Sequence, residues 1–181
     1  MPGYILTGTP GAGKTAVLRL LETHRHVVVE EAATDVIALD SALGRAGQRL
    51  DSTFIDDIVT LQRQRQTAVR ADADAIVFFD RSPVCTLALS RYLGLATSPL
   101  LSQEVDRVLA ESVYASTVFL VRNLGFVRPT QARRISFEDS LVFEQVHEQT
   151  YRDLGFHLVE VPAGPLPDRV ALIQRTITDM A

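Results

Sequence analysis

Gly8-Thr9-Pro10-Gly11-Ala12-Gly13-Lys14-Thr15 is the stretch on which the reading of this chain turns. It sets a glycine, four free residues and then Gly-Lys-Thr, the spacing of a phosphate-binding loop. Each residue type has a physical reason to be there. The glycines let the backbone turn through positive φ and bring N–H groups close to an anion. A helix starting at about Lys14 aims its free N–H groups and the positive end of its dipole at the same point. Lys14 then reaches the β- and γ-phosphates of a nucleoside triphosphate, and the Thr15 hydroxyl ligates Mg²⁺. The candidate nucleotide contacts are therefore Gly8, Pro10, Gly11, Ala12, Gly13, Lys14, Thr15 and Ala16. Before the loop, Tyr4-Ile5-Leu6 reads as a strand; after it, Ala16-Val17-Leu18-Arg19-Leu20-Leu21 reads as a helix. Strand, glycine-rich turn and helix form the context this motif requires. Of the 18 basic residues, Lys14 alone is lysine and the rest are arginine. A compact, rotatable ammonium is used at the one position whose chemistry calls for it.

Outward from the loop, apolar runs alternate with helical patterns. His26-Val27-Val28-Val29-Glu30 reads as a strand buried on both faces and ends on the pair Glu30-Glu31. A helix follows over about Ala33–Leu43, with Val36, Ile37 and Leu39 toward the core. Ser52 or Thr53 suits the cap of the next helix, about Phe54–Ala73. Its arginines Arg63, Arg65 and Arg70 read as a solvated face. Ala75-Ile76-Val77-Phe78-Phe79-Asp80 is a third strand, tipped by an acid in a Walker-B-like pattern and followed by Arg81-Ser82-Pro83. Pro83 suits a helix start. Ser116–Val121 and His157–Val161 complete the strands. Between them lie a polar, arginine-rich segment and an amphipathic helix with Leu141, Val142 and Val146 toward one face. Asp168–Met180 closes the chain as a helix with the stripe Val170, Ile173 and Ile177.

This alternation predicts an α/β fold, a P-loop NTPase with a five-stranded parallel sheet and helices on both faces, in one domain over 1–181. Right-handed crossovers bring the C-terminal strand ends to one edge, where ligands of such sheets bind. The phosphate loop, Glu30 and Glu31, Asp80 and Arg81, and the segment from Arg122 onward meet there. The net charge of −4 argues against a nucleic-acid partner, and no apolar run is long enough to span a membrane. A single cysteine and no recognisable signal peptide predict a cytoplasmic protein. None of the four histidines has metal-ligand spacing.

Phosphoryl transfer needs positioning and charge neutralisation. Asp80 is the candidate for Mg²⁺ beside Thr15, and Arg81 for a substrate or phosphate oxygen. A kinase also needs a carboxylate beside the acceptor hydroxyl. Side chains alternate along a strand, so one of Glu30 and Glu31 faces the cleft; Glu31 is preferred, with Asp35 a neighbour. The segment of about 122–137 reads as a lid whose Arg133 and Arg134 close over the γ-phosphate, with Arg128 near the substrate.

With these residues in hand, the chain resembles the small P-loop proteins of the nucleoside- and nucleotide-kinase-like group. Within it, the chain is similar to the AAA-type ATPase-domain family related to NadR-type nicotinamide riboside kinases. The resemblance rests on Gly8–Thr15, on Asp80-Arg81, and on the run Tyr151–Pro162 with Pro167-Asp168-Arg169-Val170. It implies a sheet ordered 2-3-1-4-5, a lid after the fourth strand, and transfer of phosphate from ATP or GTP to the hydroxyl of a small molecule. It also implies that the carboxylate ending the second strand, Glu31 or Glu30, holds that hydroxyl. One departure is Thr34, where related sequences often carry arginine, and nicotinamide riboside is not assumed as the acceptor. The reading from a different class is a switch that binds or hydrolyses a nucleoside triphosphate and acts through a protein partner.

Overall fold

The structure, a computed structural model, describes residues 3–45, 50–72, 75–125 and 136–180. In chain order its elements are β1 (Gly3–Thr7), α1 (Lys14–Thr23), β2 (Val27–Val29), α2 (Ala32–Ala42), α3 (Ser52–Ala68) and β3 (Val77–Asp80). They continue with α4 (Pro83–Tyr92), α5 (Pro99–Ala110), β4 (Tyr114–Val121), α6 (Phe137–Asp153), β5 (His157–Val161) and α7 (Leu166–Met180). The strands lie side by side as β2-β3-β1-β4-β5, every pair parallel, as the resemblance implies. Parallel neighbours cannot be joined by tight hairpins, so each connection crosses over through helix.

The sheet is packed on both faces. On one, Leu6, Phe78, Phe119 and Val121 meet Val17, Leu18 and Leu21 of α1 and Val170, Ile173 and Ile177 of α7. On the other, Ile5, Phe79 and Val118 meet Val84, Cys85, Val108 and Tyr151. A separate apolar cluster, with Val36, Phe54, Ile58, Leu87 and Leu101, joins α2, α3, α4 and α5 beyond the sheet edge. The functional cleft opens between this cluster and the phosphate loop.

Several local expectations shift. The valines of β2 are only half-buried, because β2 is an edge strand. Asp51, not Ser52 or Thr53, caps α3, accepting from the Phe54 N–H at 2.9 Å. Leu39 is 58% exposed, since α2 turns Val36 and Ala32 inward instead. On α6, Leu141 and Val142 face solvent, and the buried row is Phe143, His147 and Tyr151. Four-residue spacing puts those three on one side of the helix, packed against α4. Among the described residues, no helix is long and apolar enough to cross a membrane.

The register fixes the edge that matters. Leu6 of β1 pairs with Asp80 of β3, and the Arg81 N–H donates to the Leu6 carbonyl at 3.1 Å. Immediately after β1 the chain turns at Gly8, whose φ is 127°. A Cβ there would sit 2.4 Å from the Val121 carbonyl oxygen, so both torsion and close approach require glycine.

Candidate active site

The phosphate loop wraps the start of α1. Gly11 and Gly13 take positive φ, and Gly13 stands at the helix N-cap with no side chain in the way. The Lys14 side chain folds back over the loop: Nζ donates to the Gly8 carbonyl at 3.0 Å and to the Thr9 carbonyl at 2.9 Å. Burial, with help from the nearby Arg81 charge, lowers its pKa from 10.5 to about 8, against the pull of Asp80 and Glu31. Thr15 and Asp80 line the same cleft. Both offer hard oxygen ligands of the kind Mg²⁺ takes alongside phosphate oxygens and water.

Beside the loop, Glu31 and Arg81 form a part-buried ion pair, Oε1 to Nε at 2.5 Å. Thr34 donates to the other carboxylate oxygen at 2.7 Å. The position that departs from the resemblance therefore steadies this carboxylate. Burial pushes the Glu31 pKa up, but the charges of Arg81 and Lys14 outweigh it and hold the group to about 2. Arg81 has a φ of 75°, a left-handed conformation unusual for a residue with a side chain. Strain of this kind persists where surrounding contacts over-determine it, and it concentrates at functional sites.

One of those contacts comes from α6. Arg81 Nη1 lies 3.2 Å from His147 Nε2, and His147 Nδ1 lies 2.9 Å from the Phe143 carbonyl oxygen. A guanidinium only donates and a carbonyl only accepts, so the imidazole is neutral with its proton on Nδ1. Burial, reinforced by the Arg81 charge, drives the His147 pKa down to about 3, so the ring stays neutral at any ordinary pH. Beneath, Tyr151 is fully buried, with its hydroxyl 2.8 Å from Ser82 Oγ and 3.0 Å from Cys85 Sγ. Cys85 Sγ in turn lies 3.3 Å from Thr7 Oγ1. This network ties the turn after β3 to the end of β1.

Behind Glu31, Arg65 of α3 donates to the Glu30 carbonyl at 3.0 Å and the Glu31 carbonyl at 2.8 Å, and pairs with Asp35. The expected solvated arginine face therefore fails at Arg65, which latches α3 to the end of β2. The whole cleft encloses about 250 Å³, and away from the phosphate loop Ile37, Phe54, Ile58, Leu89 and Phe143 line it. Thr34, Gln62 and Thr86 add polar groups to this lining; Gln62 Oε1 accepts from Thr86 Oγ1 at 2.9 Å, and its NH₂ group is a donor.

Of the expected residues, Pro10, Gly11, Gly13, Lys14, Thr15, Glu31, Asp80 and Arg81 converge on the cleft. Gly8 and Ala12 support the loop from behind: Gly8 through its carbonyl to Lys14, Ala12 through its carbonyl to Arg169. Ala16 is exposed on the first turn of α1 and does not line the cleft. Glu30 and Asp35 line an adjoining pocket that shares Thr15, Glu31, Thr34 and Asp80 with the cleft, and each is held in an ion pair, Glu30 with Arg19 and Asp35 with Arg65. Arg128, Arg133 and Arg134 lie outside the described residues. The lid expected over about 122–137 falls mostly on 126–135, outside the described residues; at its start the Arg122 guanidinium is held by Glu144 and Glu148 of α6 at 3.0 Å each and by Glu160 of β5 at 2.6 Å. His147, Gln62, Arg65 and Arg169 were not anticipated. The four-residue spacing of Phe143, His147 and Tyr151 was the available signal for the first; the others depend on contacts distant in sequence.

Comparison with known proteins adds to this geometry. The family model described as an AAA domain matches residues 3–169. No curated protein matches the chain. Among solved structures, the chain is similar to the NadR protein in complex with NAD and AMP-PNP, with a TM-score of 0.68 and 16% identity over 97% of this chain and 48% of that one. It is similar to deoxyadenosine kinase from M. mycoides, with a TM-score of 0.63 and 13% identity over 99% and 100% of the two chains. It is also similar to thymidylate kinase from Ehrlichia chaffeensis, with a TM-score of 0.63 and 16% identity over 97% and 98%. The chain spans about half the length of the NadR chain. At such identities the likeness shows the fold. The family match over nearly the whole chain, on a parallel sheet ordered 2-3-1-4-5 around a phosphate-binding loop, shows that the chain belongs to the AAA domain family and has the fold of P-loop nucleotide-kinase-like proteins.

Proposed function

We propose that this protein is a Mg²⁺-dependent phosphotransferase that moves the γ-phosphoryl group of ATP or GTP to a hydroxyl of a small, nucleoside-like acceptor. The observation that carries the reading is the Glu31–Arg81 pair, set between the phosphate loop and an apolar pocket. A hydrolase needs only a positioned water, whereas a buried carboxylate at the mouth of an apolar pocket suits an organic hydroxyl. The similar structures support the donor class, since that of NadR holds AMP-PNP. The kinase titles of the other two support the reaction class.

In this reading the acceptor oxygen attacks the γ-phosphorus while the bond to the β-γ bridging oxygen breaks, and the nucleoside diphosphate leaves. Glu31, ionised in the resting site, accepts a hydrogen bond from the attacking hydroxyl and takes its proton as the new P–O bond forms, becoming a neutral carboxyl that returns the proton to water after transfer. Arg81 is held by Glu31 and His147 and keeps further N–H donors for a phosphate oxygen. Lys14 leaves the Gly8 and Thr9 carbonyls for the β- and γ-phosphates, and the loop N–H groups, from Gly8 to the first turn at Ala16, cradle the same oxygens. Thr15 and Asp80 are the residues that would hold Mg²⁺, which would supply charge neutralisation at the phosphates. Arg133 and Arg134 are the proposed closing cations, with Arg128 toward the acceptor. Phe54 and Phe143 suit the faces of a flat ring, and Gln62 offers an amide donor to its edge.

The test is release of ADP or GDP with Mg²⁺ across a panel of nucleosides, ribosides, sugars and amino-alcohols, with Lys14→Ala as blank. A large rise with one acceptor, absent in the blank, supports the kinase. Slow release indifferent to every acceptor overturns it in favour of a nucleotide switch.

A further inference from the structure

Arg169, in the first turn of α7, is 4% exposed. Its Nη1 donates to the Ala12 carbonyl at 2.8 Å and its Nη2 to the Arg122 carbonyl at 3.1 Å. Its Nε is buried without a hydrogen-bond partner. Among the described residues, it takes part in no ion pair. A buried guanidinium that meets only backbone carbonyls is expensive, because a charge taken from water needs a counter-charge. Burial accordingly lowers its pKa.

The position of this cation is informative. It packs against the back of the phosphate loop, where a Cβ added to Gly13 would lie 2.9 Å from Nη1. A trans peptide points its C=O and N–H in opposite directions. With the Ala12 carbonyl turned back to Arg169, the Gly13 N–H is turned away from Arg169. On the reading of the cleft as a nucleoside triphosphate site, that direction is toward the phosphates.

We propose that Arg169 is a positioning residue for the triphosphate. It locks the Ala12–Gly13 peptide with its N–H presented to the phosphates and adds an unneutralised positive charge behind them, without touching the nucleotide. The second bond, to Arg122, fixes the loop against the exit of β4. The planar fork of arginine reaches both carbonyls at once, whereas a lysine ammonium lacks that fixed two-pronged geometry. The triphosphate is the counter-charge that the interior withholds.

The test is calorimetric titration of Mg·ATP and of AMP into the wild type, Arg169→Met, Arg169→Lys and Lys14→Ala, with the unfolding temperature of each empty protein. Arg169→Met is expected to weaken Mg·ATP by about tenfold or more, the scale of one charge-assisted hydrogen bond. AMP affinity is expected to change by less than about threefold, since AMP lacks the β- and γ-phosphates on which that hydrogen bond acts. Arg169→Lys is expected to recover part of the loss, and the empty Arg169→Met protein to melt no lower than wild type. Unchanged Mg·ATP affinity in Arg169→Met, while Lys14→Ala loses binding, overturns this inference and leaves the triphosphate site standing. Equal losses of ATP and AMP with a lowered melting temperature overturn it in favour of a purely structural role. A wild type that binds no Mg·ATP overturns the site reading and this inference together.

Discussion

Replacing Lys14 by methionine should stabilise the empty protein while removing its response to nucleotide. Lys14 is 6% exposed and faces Arg81 as well as the loop carbonyls. Its pKa falls from 10.5 to about 8, which corresponds to a cost of about 3 kcal/mol for keeping the buried ammonium charged. Methionine fills similar space without charge, but forgoes the hydrogen bonds to the Gly8 and Thr9 carbonyls, at about 1 kcal/mol net each. The balance favours Lys14→Met by roughly 1 kcal/mol, a rise in unfolding temperature of about 2–4 °C for a chain of this size. The pH dependence has a definite sign. Between about pH 8 and 10.5 the unfolded chain keeps a proton on Lys14 that the folded chain has released, so wild-type stability rises with pH across that window. Lys14→Met should lack this rise. The assay is thermal and urea unfolding from pH 7 to 10.5, with and without Mg·ATP. Wild type should gain about 2.7 kcal/mol at a hundredfold excess over the dissociation constant, and the variant nothing. A variant less stable than wild type when empty, with the same alkaline slope, would refute the account of Lys14 as a cation held in readiness for phosphate.

Two further perturbations probe the ion pair. Glu31→Gln should lower kcat by about 10²–10⁴ while leaving Mg·ATP affinity within about threefold, measured by steady-state kinetics and titration. Because Arg81 and Lys14 hold Glu31 to about 2 against an ordinary 4.5, its contribution to stability is complete above about pH 4.5 and fades as pH falls toward 2. Urea midpoints across that range should fall more steeply for wild type than for Glu31→Gln; parallel curves would count against the pair. His147→Leu removes the neutral acceptor that holds Arg81 and should lower kcat/KM about tenfold, with His147→Gln recovering activity because its carboxamide oxygen can accept. Loss in both variants alike would place His147 in packing instead.

The parts of this molecule that a linear reading reaches are those with local causes. The phosphate loop is fixed by torsions and spacing inside eight residues. Strand alternation implies that one of Glu30 and Glu31 faces the cleft without choosing between them; both lie just beyond β2, where Glu30 pairs with Arg19 and Glu31 with Arg81. The strand order came from the resemblance, not from periodicity. What escaped depends on partners far along the chain. Arg65 looks like any charged residue on a helix face until β2 and α2 bring the Glu30, Glu31 and Asp35 groups to it. On α6, counting aliphatic residues selects Leu141 and Val142, but the side facing α4 at the site is Phe143, His147 and Tyr151. That stripe is buried because Arg81, Ser82 and Cys85 supply its hydrogen-bond partners. Asp51, Ser52 and Thr53 are three consecutive residues able to cap, and only the backbone turn at Asp51 decides among them.

The most direct measurement follows the γ-phosphate itself. ATP labelled at the γ-position is incubated with the protein, Mg²⁺ and the acceptor panel, and labelled products are separated. The account predicts label on the hydroxyl of one acceptor class, abolished by Lys14→Ala and strongly reduced by Glu31→Gln. Label found only as inorganic phosphate, at a rate no acceptor changes, would contradict it.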